Sequence, residues 1–216
     1  MGTAVSGDSE LIRVTVVDYF SGAILIDNYV EPDVPMLHLN TKYSGVTWAD
    51  IRNARQQGTI LQGKAHSRHA LWNYVGPDTL IIGHAVINDI RALKWIHTAV
   101  VDSLITEQAR VRAKEAEEAK LKEAEESTLK QEEERLKIEG LTNVAMQELA
   151  EMRAATETAD ENAPVRKTGT LSLKTLAKKY LDIDIQNKGK AGHDSLEDAM
   201  AARDIVHCNV LALMMG

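Results

Sequence analysis

The chain has 216 residues, 44% of them hydrophobic but only 4% aromatic, so one aliphatic core plus an insertion is expected rather than two full domains. Its single cysteine, Cys208, excludes an internal disulfide. No run approaches the roughly 18 apolar residues that span a bilayer, and no basic segment followed by an apolar one opens the chain, so the expectation is a soluble, intracellular protein. The net charge of −7 weighs against a sequence-independent nucleic-acid coat, which needs Lys and Arg against phosphates, but not against a nuclease whose carboxylates hold metal ions.

In chain order, Leu11 to Asp18 and Ala23 to Val30 are dense in β-branched residues and flank the turn pair Ser21-Gly22, which predicts a β-hairpin. Pro32, Pro35 and Gly45 break regular structure, and Thr47 caps a short helix through Trp48, Ile51 and Ala54. A second helix covers Ala65 to Tyr74 and ends at Gly76-Pro77. Thr79 to Ile82 reads as a buried strand that delivers Gly83-His84, Asn88 as the cap of a helix through Trp95, and Val100 to Leu104 as a further strand. The order strand, helix, strand favours parallel pairing in an α/β sheet.

From Thr106 to about Met152 the chain is dominated by Glu, Lys, Arg and Ala, followed by a polar stretch from Thr156 to Thr170. Glu118 with Lys122, and Glu126 with Lys130, have the (i, i+4) spacing of an exposed helix. Val111, Leu121, Leu129, Leu136 and Ile138 do not sustain a heptad, which favours a solvated helix and flexible loop over a coiled-coil partner site. Beyond it, Leu173, Leu176, Ala177 and Tyr180 share one helical face, and Ala199, Ala202, Ile205, Val206 and Val210 another. The expected division is 1–104, an insertion at 105–170, and 171–216 completing the first part.

Two strings carry chemistry. In Gly192-His193-Asp194-Ser195-Leu196-Glu197-Asp198, a histidine and an aspartate lie five residues apart across a loop-to-helix junction. The histidine can there reach a water, and the aspartate one turn inside is rigid enough to bind a divalent cation. The bland alternative is that Asp194 or Ser195 caps the helix and His193 is a surface residue. In Gly83-His84-Ala85-Val86-Ile87-Asn88-Asp89, Asp89 falls in a first helical turn, where a carboxylate also simply complements the helix dipole. His84, without zinc-spaced neighbours, more often packs and hydrogen-bonds than ligates. Tyr19, Phe20, Tyr43 and Trp48 can stack on bases, though such rings usually belong to a core.

Together these strings resemble the DEDDh exonuclease superfamily, most closely the fungal and animal Rex-type RNA exonucleases. Ser9 to Asp18 looks like that family's second strand, Tyr43-Ser44-Gly45-Val46-Thr47 its loop before the first helix, Gly83 to Asp89 its second acidic motif, Leu171 to Leu176 the helix before the third motif, and Gly192 to Asp198 the third itself. The resemblance implies an RNase H-like α/β fold, a mixed sheet flanked by helices. It implies 3′-to-5′ removal of nucleotides from RNA, with single-stranded DNA as a secondary substrate and a nuclear location favoured. It further implies Asp89 and Asp198 as metal ligands, His193 as general base, and Mg²⁺ or Mn²⁺ in a two-ion site.

The family's first motif, an Asp and a Glu one residue apart on a central strand, should lie immediately before a sequence like Met1-Gly2-Thr3-Ala4. Neither it nor its strand is present, so the expectations are weak metal binding and a native protein that starts upstream. Asp8-Ser9-Glu10 has the same spacing but no apolar strand before it, and reads as a polar loop. Two other functions stay open: a catalytically inactive relative that binds nucleic acid, or a protein partner through the charged insertion, and an α/β interaction domain in which Asp89, His193 and Asp198 do not converge.

Overall fold

The structure is a computed structural model that describes residues 1–138, 147, 151, 171–187 and 192–215. The first ten residues are more ordered than their polarity predicts: β1 (Gly2–Ala4) pairs antiparallel with β2 (Ser9–Glu10) and, on its other edge, with β5 (Met36–His38). Pro32 and Pro35 interrupt the chain only locally, and pairing resumes one residue later. Glu10 is 3% exposed, and its carboxylate accepts from the Asp33 backbone N–H and the Lys64 ammonium. Glu10 of the Asp8-Ser9-Glu10 string is thus committed to packing, since a buried carboxylate requires such partners, while Asp8 and Ser9 are exposed.

The β-branched runs form the expected hairpin, β3 (Arg13–Val17) against β4 (Ile24–Tyr29), in register from Arg13↔Tyr29 to Val17↔Ile24 with an irregularity between Val16 and Val17. After α1 (Thr41–Ser44), α2 (Trp48–Gln57) opens with a capping box: the Thr47 hydroxyl accepts from the Asp50 N–H, and the Asp50 carboxylate accepts from the Thr47 N–H. Next comes α3 (Gly63–Trp72). The hairpin separates two aliphatic clusters. Ile12, Val46, Ile51 and Ala54 lie in one, and Leu11, Val14, Ile26, Leu71 and Leu93 in the other.

β6 (Ile81–Gly83) pairs parallel with β7 (Val100–Asp102), as the strand, helix, strand order predicts, with α4 (Ile87–Ala92) between them. β6 is half-buried rather than buried, and Leu80 just before it is 55% exposed. The strands form three separate ladders, and among the described residues none joins β3 to β6. Asn88 is not the cap of α4. Val86 takes that position without a side-chain bond of its own, and a carboxylate from β7 supplies the acceptor, as described below.

α5 (Ser103–Ile138) is a single helix of 36 residues, about 54 Å at 1.5 Å per residue. It is exposed along most of its length and carries Glu126–Lys130 at 2.6 Å and Lys114–Glu118 at 3.7 Å. The chain divides into two compact units, Met1–Glu107 with Leu171–Gly216, and Gln108–Thr170. The polar stretch Thr156–Thr170 and its expected flexible loop lie outside the described residues.

Within the first unit, α6 (Leu173–Leu181) buries Leu173, Leu176 and Ala177 against α7 (Ser195–Met215). The buried stripe of α7 runs through Ala201, Ala202, Ile205, Val206 and Asn209, so Val210, expected on that face, is 41% exposed. Glu107, in the first turns of α5 and 1% exposed, accepts from the Tyr180 hydroxyl at 2.5 Å and the Lys179 ammonium at 2.9 Å, tying α5 to α6. Among the described residues no helix is long and apolar enough to cross a membrane.

Candidate active site

The turn after β6 brings Gly83-His84 to the start of α4. The carboxylate of Asp102, at the end of β7 and 6% exposed, does there what a capping side chain would do. Its Oδ1 accepts from the N–H groups of Ala85 and Leu104, and its Oδ2 from that of Val86, all at 2.9 Å. One buried carboxylate thereby satisfies orphan amides at the start of α4 and of α5. His84 packs half-buried, with Nδ1 3.0 Å from the Ser103 hydroxyl. Burial lowers its pKa, against the opposing charges of Asp102 and Asp198.

Asp89 stands in the first turn of α4 and is exposed to solvent. Its carboxyl is pushed up to about 6, first by desolvation from the protein around it, with the Met1 ammonium pulling down and the Asp102 charge pushing up. His193 and Asp198 meet across the loop-to-helix junction, with Nδ1 to Oδ2 at 3.9 Å. The other oxygen of Asp198 accepts from the Gln186 side-chain amide at 2.9 Å. Burial raises the Asp198 pKa, the Gln186 bond and the His193 charge pull it down, and Glu197 and Asp194 push it up.

The structure therefore brings His193 and Asp198 together directly. Among the described residues no hydrogen bond or ion pair joins Asp89 to them. The Asp102 charge pushes the Asp89 carboxyl up and opposes the lowering of His84, and the Asp198 charge also acts on His84.

The loop that carries His193 is held on two sides. Gly192 is buried at φ +81°, and a Cβ there would lie 2.6 Å from the Gly45 nitrogen, 2.7 Å from its Cα, and closer still to the Thr41 carbonyl oxygen. Only glycine fits where two backbones approach so closely. Asp194 caps α7, its Oδ1 accepting from the Leu196 N–H at 3.1 Å, and lies 3.3 Å from the Arg13 guanidinium. The capping role foreseen for Asp194 is thus real and coexists with the pairing of its neighbours.

Beside His193 the Tyr43 ring stands edge-on, with centroids 6.2 Å apart. Leu37 to Tyr43 and Trp48 line a cavity of about 450 Å³. Tyr43 is 64% and Trp48 47% exposed, and Phe20 at the hairpin turn 92%. These three rings are on the surface, against the expectation that they fill a core. Tyr19 instead hydrogen-bonds His207 on α7 at 2.9 Å.

Among the described residues no group of three or more His, Cys, Asp or Glu side chains forms a metal centre. Asp89 and Asp198 offer the oxygen donors a hard divalent ion takes, but Asp102 is already occupied by three amides, so the donor set is right in kind and short in number.

No family model matches the chain. It is 29% identical to RNA exonuclease 3 of Emericella nidulans over 217 residues, covering 91% of this chain and 26% of that protein. It therefore spans about a quarter of that relative's length. In fold it is similar to the catalytic unit of Neurospora crassa Pan2, comprising protease and nuclease domains, with a TM-score of 0.57 at 19% identity, over 97% of this chain and 27% of that one. The Saccharomyces cerevisiae Pan2 module in complex with AAUUAA RNA is similar at TM-score 0.57 and 16% identity, over 97% of this chain and 25% of that one. The chain thus has a mixed α/β architecture similar to that of the Pan2 units and a sequence similar to RNA exonuclease 3.

Proposed function

We propose that this chain is a nuclease module that removes nucleotides from RNA 3′ ends, with His193 as general base and Asp89 and Asp198 as its functional carboxylates. The observation that carries this reading is the His193–Asp198 pair, 3.9 Å apart on a junction braced by Gly192 and Asp194. The imidazole takes the proton of the attacking water, and Asp198, on the first turn of α7, faces the ring at 3.9 Å. Asp89 and Asp198 would hold Mg²⁺ or Mn²⁺, which when bound supplies positive charge at the scissile phosphate. Two carboxylates leave most of the coordination shell to water and substrate, so metal binding is weak.

RNA as the substrate is supported by the names of the relatives and by the exposed Tyr43 beside His193 and Trp48 in the same cavity as Tyr43, whose rings suit stacked bases of a single strand. Single-stranded DNA is a secondary substrate, residues 105–170 are an insertion in the nuclease domain, and the nucleus is the place of action. The test is end-labelled RNA incubated with the chain and Mn²⁺. A ladder shortening from the 3′ end, lost in His193→Ala, supports the proposal.

The absence of a three-ligand metal centre among the described residues favours a second reading, a catalytically silent relative that binds RNA or a protein partner through the charged helix. It predicts RNA binding with the salt dependence of phosphate contacts and no shortening with either metal.

A further inference from the structure

We propose that Arg13 positions His193, acting through Asp194; this rests on the reading of His193 as general base. Arg13 begins β3, and its guanidinium is fixed as a fork on Asp27 of β4, Nε donating to Oδ1 at 2.9 Å and Nη2 to Oδ2 at 3.0 Å. Asp27 is itself held by the Thr15 hydroxyl at 2.9 Å, and the Tyr29 ring lies 5.7 Å from the Arg13 Cζ. The cation is therefore locked in the hairpin before it meets anything else, with its side chain only 17% exposed.

The same Nη2 that donates to Asp27 also lies 3.3 Å from Oδ1 of Asp194, so the guanidinium is shared between the two carboxylates. The same Asp194 oxygen accepts from the Leu196 N–H, and the Asp194 carbonyl accepts from the Asp198 N–H at 2.9 Å. One aspartate thus joins the rigid hairpin to the first turn of α7, between the two residues that form the His193–Asp198 pair. On the other side of His193, Gly192 is wedged against Thr41 and Gly45. Removing Arg13 leaves the Asp194 cap of α7 in place and takes away this ion pair between the cap and the hairpin. Lysine cannot replace the fork, since a single ammonium lacks the planar geometry that grips Asp27 and Asp194 together.

The test compares Arg13→Gln, Arg13→Lys, Asp194→Asn and the double variant Arg13→Gln/Asp194→Asn in the full chain, read by NMR of the His193 ring and by hydrogen exchange at the Leu196 amide. Asparagine keeps the cap and removes the charge, which separates positioning from folding. The expected result is a displaced His193 ring signal in Arg13→Gln and Asp194→Asn, faster exchange at Leu196, an intermediate signal in Arg13→Lys, and a double variant no worse than the worse single. With RNA, kcat falls about tenfold or more while KM changes less than about twofold, the signature of a misplaced reacting group. An unchanged His193 signal in Asp194→Asn, or full additivity in the double variant, overturns the proposal. The ring signals need no turnover, so a chain without 3′-end activity refutes the nuclease reading and leaves the clamp to be judged by NMR.

Discussion

Gly192→Ala is the sharpest single perturbation of this fold, and Gly58→Ala is its control. Both glycines have left-handed backbones, φ +81° and +69°, but a Cβ on Gly58 meets nothing within 4 Å, whereas one on Gly192 meets three backbone atoms of the Thr41–Gly45 turn. A non-glycine residue in this region costs roughly 1–2 kcal/mol. Gly58→Ala should stop there. At Gly192 the nearest carbon of Gly45 would have to retreat from 2.7 Å toward ordinary contact, a shift that backbone within a hydrogen-bonded turn resists. That overpacking adds roughly 1–3 kcal/mol. The total, about 3 kcal/mol, lowers the melting temperature by roughly 6–12 °C at this chain length. Thermal unfolding followed by circular dichroism measures both variants, and NMR of His193 reports whether the loop has moved. Equal losses in the two variants, or an unshifted His193 ring in Gly192→Ala, refute the wedge.

Three other outcomes follow from the same structure. The folded-state pKa of Asp89, about 6, lies above its ordinary 3.8, so between those values the folded chain binds more protons and stability falls as pH rises. Asp89 is exposed, which through solvent screening limits the effect to about 1 kcal/mol. Asp89→Asn should raise the urea midpoint near pH 8 and not near pH 4, and an equal effect at both contradicts the assignment. Asp102→Asn presents an amide to three backbone N–H groups and should cost about 2–3 kcal/mol, with faster hydrogen exchange at Ala85 and Val86. Lys64→Met strands the buried Glu10 carboxylate and should cost about 3 kcal/mol, while Glu10→Met/Lys64→Met recovers most of that loss, a contrast that chemical denaturation resolves.

The elements legible in the sequence are those whose cause is local. β-Branched runs around Ser21-Gly22 make the hairpin, Thr47 caps α2, and the strand, helix, strand order makes the β6–β7 pair parallel. The His193–Asp198 pair is legible for the same reason, since one turn of helix fixes its spacing. What escaped is tertiary. Asn88 has the composition of a cap, but Asp102, 14 residues further on and adjacent through the parallel pairing, reaches α4 first. β1 has no apolar pattern of its own and exists because β2 and β5 flank it.

The α7 stripe includes the polar Asn209, so an apolar count drew its face through the exposed Val210. Tyr43 and Trp48 look like core residues by type, and only the fold shows them at the surface, Tyr43 beside His193. Arg13 and Asp194 lie at opposite ends of the chain, and no periodicity connects them.

The central claim is that His193 and Asp198 act together on the 3′ ends of RNA. Its most direct measurement is the length distribution of 5′-labelled RNA after incubation with the chain and Mn²⁺, set beside His193→Ala and Asp198→Asn. Stepwise shortening from the 3′ end, abolished by both substitutions, is the expected outcome. Shortening that survives either substitution, cleavage at internal sites, or RNA left at full length by the unsubstituted chain contradicts it.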